Sequence, residues 1–148
     1  MTTNTIKLHR VLKAPTDRVY KAFLDPAAMC KFFPPNGFTC TVHRLEPRVG
    51  GTYKASFTNF SSGRSHAFGG TYKELKPGAK LVYSDKFDDP NLPGEMTTTI
   101  LLKQVSCGTD ISITQEGVPG VIPPEMCYVG WQETLEGLAR LVEPEIPD

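Results

Sequence analysis

The tightest constraint on this chain lies near its end. From Pro124 to Glu143, the residues Cys127, Tyr128, Trp131, Leu135, Leu138, Leu141 and Val142 recur at i, i+3, i+4 spacing and form one apolar stripe. Gln132, Glu133, Glu136, Arg140 and Glu143 fall on the opposite side. Pro123 and Pro124 suit a helix entrance, where a missing N–H costs nothing. Glu125 stands in the first turn, where the positive end of the helix dipole favours an acid, and Pro144 stops the helix. A stripe of about five turns is not stable in water by itself. It needs an apolar surface of similar length, and only a β-sheet in the remainder of the chain offers one.

The remainder does alternate. Residues 5–13 place Ile6, Leu8 and Arg10 on one side and Lys7, His9 and Val11 on the other, which predicts a strand. Residues 14–25 switch to helical spacing, with Val19, Ala22 and Phe23 on one face. Pro26 stops or restarts that helix, and 27–33 makes a second short one, ended by Pro34, Pro35 and Gly37. Period two then returns over 38–47, 50–60, 66–75, 80–87, 95–105 and 109–117. Turn sequences at 61–64, 76–79 and 106–108 and a loop at 88–94 separate these segments, so an antiparallel meander is expected. Residues 118–124 read as a Pro/Gly linker. The expected fold class is α+β: a curved antiparallel sheet of about six or seven strands around a long C-terminal helix, with two short helices after strand one.

At 148 residues the chain is expected to form a single domain, 1–148. Its formal net charge is zero, which gives no sign of nucleic-acid binding. The charges are unevenly placed. Lys7, Arg10, Lys13, Arg18, Lys21 and Lys31 outweigh Asp17 and Asp25 at the start, and Glu125, Glu133, Glu136, Glu143, Glu145 and Asp148 outweigh Arg140 at the end. Two solvated faces that attract each other weakly are the expectation. Cys30, Cys40, Cys107 and Cys127 form no CxxC pair and no zinc spacing. The first ten residues lack the apolar stretch of a signal peptide, and no stretch is long enough for a membrane span. Free thiols in a reducing cytoplasm follow as the expected setting.

The order of motifs resembles the START-like, birch-pollen-allergen-like (SRPBCC) superfamily, and in particular the branch named after the activator of the heat-shock protein 90 ATPase. The segment Val19–Phe33, the Gly50-Gly51-Thr52-Tyr53 turn and strand, the Gly70–Tyr83 segment, the Gly108–Gly117 strand and the Gly130–Glu143 helix carry the resemblance, in order, over almost the whole chain. At one point the chain departs from the pattern. Many relatives have a tryptophan after the second helix, where this sequence has Phe32-Phe33-Pro34-Pro35. The resemblance implies the helix-grip fold and a cavity between sheet and terminal helix, used by relatives for hydrophobic or amphipathic small molecules.

The inward faces give the expected lining of such a cavity: Phe57, His66, Phe68, Tyr83, Met126 and Trp131, with Phe33 near a rim. Asp85 alternates with Leu81, Tyr83 and Phe87, so it points inward and is a candidate partner for His66. No Gly-x-Ser-x-Gly elbow, P-loop, dinucleotide fingerprint or metal cluster is present, so no catalytic residue, metal ligand or cofactor is assigned. The expected function is binding of a small hydrophobic or aromatic molecule without catalysis. The alternatives are a protein-interaction or co-chaperone-like partner, docking through the acidic side of the last helix, and an aromatase/cyclase-type enzyme using His66 and Asp85 on a polyketide-like substrate.

Overall fold

The computed structural model describes residues 2–148. A first strand, β1 (Thr3–Leu12), leads to α1 (Thr16–Ala22) and α2 (Pro26–Phe32). Six strands follow: β2 (Phe38–Leu45), β3 (Thr52–Asn59), β4 (Ser65–Lys76), β5 (Lys80–Phe87), β6 (Met96–Val105) and β7 (Gly108–Pro119). The long helix α3 (Pro124–Val142) closes the chain. The strands make one antiparallel sheet in the order β1-β7-β6-β5-β4-β3-β2, so β2 to β7 form the expected meander and β1 returns to pair with β7. Register shifts in the β1/β7, β2/β3 and β4/β5 pairs bend the sheet. No helix among the described residues is long and apolar enough to cross a membrane.

Local chemistry sets the short helices. The Pro15 carbonyl accepts the N–H groups of Arg18 and Val19, which starts α1 two residues later than the apolar spacing alone suggests. The Asp25 carboxylate accepts the Ala28 N–H at 3.0 Å and caps α2, which separates it from α1. At the other end of the chain, β7 runs to Pro119, beyond the expected boundary at 117. Val118 is fully buried against Ile6 and Met96, and Asn4 and Thr3 pair with Val118 and Pro119. Burial of one apolar side chain here outweighs the Gly/Pro character of the segment.

The helix grips the sheet with only part of its length. Leu135, Leu138, Ala139 and Val142 are buried among Leu12, Val19, Phe23, Phe32, Ile100, Ile111 and Ile113. Gly137 allows the crossing with α2, since a Cβ there would stand 3.3 Å from the Phe32 Cα. The first two turns behave differently: Met126 is 64% and Val129 54% exposed, and Cys127 and Tyr128 are half-buried. The oppositely charged chain ends do meet. Arg10 pairs with Glu136 at 3.2 Å and Arg18 with Glu145 at 3.3 Å, while Arg18 also donates to the Val142 carbonyl at 2.8 Å, one of the orphan acceptors at the end of α3. Exposed pairs of this kind contribute under ~1 kcal/mol each. Leu138→Ala should therefore cost ~2–5 kcal/mol in chemical denaturation, and Arg10→Ala less than ~1 kcal/mol.

Candidate ligand pocket

Where the packed half of α3 ends, a pocket of about 250 Å³ opens between the helix and the sheet. Cys127, Gly130, Trp131 and Thr134 form its helical wall. Phe57, His66, Phe68, Asp85 and Phe87 come from β3, β4 and β5, and Met96, Gln115 and Val118 from β6 and β7. Phe33 and Pro35 after α2 and Ile122 before α3 complete the rim. The surface is mostly apolar, with a few polar groups converging on it, which is the usual make-up of a small-molecule site.

Of the seven expected lining residues, Phe33, Phe57, His66, Phe68 and Trp131 stand on this wall. Tyr83 does not. Its ring lies 5.8 Å from that of Tyr53 and 6.3 Å from that of Tyr72, in a buried aromatic layer further along the sheet. Two residues on, Asp85 has the same facing and takes the lining position. Met126 does not line the pocket either and points to solvent. Met126 stands in the first turn of α3, ahead of the residues that form the wall, and its exposure reflects that position along the helix. Gln115 and Met96 were not among the expected lining residues, although the alternations Ile111-Ile113-Gln115 and Met96-Thr98-Ile100 carry the signal that would have found them. Val118 and Ile122 lie in the stretch read as linker, where no periodicity marks them. Gly69 and Gly70 leave no room in the interior: a Cβ at Gly70 would stand 1.9 Å from the Ser84 carbonyl oxygen, so this glycine serves close strand approach.

Trp131 is the joint of the site. It is half-buried and packs against both the main core and the smaller cluster of Ile6, Met96 and Val118. Its indole N–H donates to the Gln115 side-chain oxygen at 3.1 Å, and the Gln115 amide donates to the Thr98 hydroxyl at 3.3 Å. The ring is thus held edge-on by a buried polar chain while it contributes to the wall. Thr134, one turn further, donates to the Phe33 carbonyl at 2.9 Å and ties the rim to α3.

Asp85 is the other polar feature. Burial pushes its carboxyl up to about 7, against the opposing pull of the Tyr53 hydroxyl and the Lys86 N–H. Its Oδ1 is buried without a hydrogen-bond partner. Burial, and then the Asp85 charge, push the Tyr53 and Tyr83 phenols well above their ordinary value, so both remain neutral donors. The Tyr53 hydroxyl is directed to the Ser84 carbonyl at 3.2 Å. His66 is exposed, and no hydrogen bond joins it to Asp85 although both line the pocket. Burial also pushes the Cys40 thiol, which lies beside Cys30, up to about 12, so it stays protonated and unreactive.

The raised carboxyl links stability to pH with a definite sign. Protonation of Asp85 favours the folded state. That contribution is complete below the unfolded carboxyl's ~4 and is lost as pH rises through about 7. Asp85→Asn should remove this loss, so its urea midpoint relative to the native protein should increase from pH 5 to pH 8. An unchanged difference between the two pH values would contradict the assignment.

A family model described as "Activator of Hsp90 ATPase homolog 1-like protein" matches residues 13–143. A solved structure from Chromobacterium violaceum is 60% identical, with a TM-score of 0.95, covering 96% of this chain and 99% of that one. A Rhodobacter sphaeroides protein superposes with a TM-score of 0.84 at 20% identity, over 95% of this chain and 92% of that one. A protein described as AHSA1-like, from Aeromonas hydrophila, gives 0.78 at 19% identity over 95% and 92%. No curated protein matches. The two more distant structures share the fold, and the family model and the Chromobacterium protein go further: this chain belongs to the Activator of Hsp90 ATPase homolog 1-like family, within the START-like superfamily.

Proposed function

We propose that residues 1–148 work as a single domain that binds a small, mostly apolar molecule in the pocket beneath the first turns of α3, in a reducing compartment such as the cytoplasm. The observation that carries this reading is the contrast between the two glycines of α3. Gly137 stands where a side chain would press on α2. Gly130 lines the pocket, and nothing lies within 4 Å of the position its Cβ would take. A glycine inside a helix costs ~1 kcal/mol relative to alanine, and here no packing contact requires it. The space it leaves belongs to the pocket.

Size narrows the occupant. A cavity of ~150 Å³ holds benzene, so about 250 Å³ suits one or two rings or a short branched chain. Phe33, Phe57, Phe68 and Trp131 offer faces and edges for a ring. The co-chaperone reading has less support. The acidic side of α3 is engaged within the chain, with Glu136 on Arg10, Glu143 on the Lys13 N–H and Glu133 on the Asn36 N–H.

A panel of small aromatic and short-chain compounds, screened by thermal shift, tests the proposal. A binder at 100 times its Kd should add ~2.7 kcal/mol to native stability. Gly130→Leu should abolish the shift while leaving the protein folded and no less stable, because leucine is the better helix former. Equal shifts in the native protein and the variant would place binding elsewhere, and no shift across the panel would sink the reading.

A further inference from the structure

The pocket is mostly apolar, and Asp85 is among its lining residues, with an Oδ1 that is buried and has no hydrogen-bond donor. Apart from the exposed His66, the other polar side chains of the wall already have partners. Gln115 accepts from Trp131 and donates to Thr98, and Thr134 donates to the Phe33 carbonyl. Among the described residues none of the ion pairs includes Asp85, and the groups acting on it are the Tyr53 hydroxyl and the Lys86 N–H, with no cation among them. A buried carboxylate lacking both a counter-charge and a full set of donors is costly, and native structures rarely leave one so. Below a pH of about 7 the carboxyl is relieved by its own proton, and above it an occupant of the pocket would supply the missing partner.

Resting on the binding role proposed above, we infer that the occupant is a ring compound bearing one basic nitrogen, which places an ammonium on the Asp85 Oδ1 while its ring packs between Trp131 and the phenylalanines. The assignment follows from charge. A neutral hydroxyl would satisfy one acceptor and leave the carboxylate uncompensated, whereas an ammonium supplies donor and counter-charge together. An anionic molecule would meet a buried acid and is disfavoured.

Three probes of nearly equal shape read this directly: 2-phenylethylamine, 2-phenylethanol and n-propylbenzene, titrated against the fluorescence of Trp131, the only tryptophan in the chain. At pH 8 the amine should bind about tenfold or more tighter than the other two. Asp85→Asn should cost the amine about tenfold and leave propylbenzene within about threefold. In the native protein, amine affinity should rise about tenfold from pH 6 to pH 8 as the carboxyl loses its proton. The other titratable groups facing this point are Tyr53 on β3, Tyr83 on β5, Cys127 on α3 and His66 on β4. His66 lines the same pocket, so the rise must persist in His66→Gln. Phenylethanol or propylbenzene matching the amine, or an amine indifferent to Asp85→Asn, would overturn the inference while leaving an apolar binding pocket in place. Failure of all three probes to perturb Trp131 would overturn both.

Discussion

Everything in this molecule follows from the need to cover the inner face of one seven-stranded sheet. A helix of nineteen residues cannot do so uniformly. Its C-terminal half, at Leu135, Leu138, Ala139 and Val142, joins α1 and α2 over one end of the sheet and makes a dry core. Its N-terminal half has no second helix beside it. There the cover thins to Trp131 and Cys127, and the aromatic side chains of β3 and β4 are left facing open volume. The pocket is thus the remainder of an incomplete packing solution, bounded on one side by the core itself.

Trp131 decides where that boundary falls. A tryptophan at this point could fill the space or wall it off, and its hydrogen bond settles the matter. With its N–H fixed on Gln115, and Gln115 fixed on Thr98, the indole is held against the sheet side of the pocket, where it joins the two apolar clusters. Its burial is partial because one side packs and the other lines. A purely apolar side chain at the same place would have no such anchor.

Most of the fold was legible because it rests on periodicity. The strands alternate, the helices carry three-to-four spacing, and Asp25 and Pro124 punctuate α2 and α3 where capping chemistry expects, while Pro15 falls at the N-cap of α1 and not in its first turn. The site was legible only in part, because lining a pocket depends on position along a face as well as on the face itself. Tyr83 and Asp85 share one face of β5, and alternation alone does not say which of them reaches the open end. Met126 illustrates the same limit on a helix: its first turn overhangs the sheet, so apolar character there does not imply burial. Val118 escaped notice because a Gly/Pro-rich surrounding hid a strand that tertiary packing extends.

The pairing of β1 with β7 carries a consequence for how the site comes into being. Thr3 to Leu12 find their partners between Thr109 and Pro119, about a hundred residues away. Such long-range closure is entropically demanding and sets the pace of assembly in folds of this kind. Ile6 on that strand lies against Met96 and Val118, two of the residues that line the cavity, and the Lys7 N–H holds the Tyr128 hydroxyl at the start of α3. Without β1 in place, the pocket between the meander and α3 is therefore incomplete. β1 acts as its keystone, the one strand that locks floor to roof.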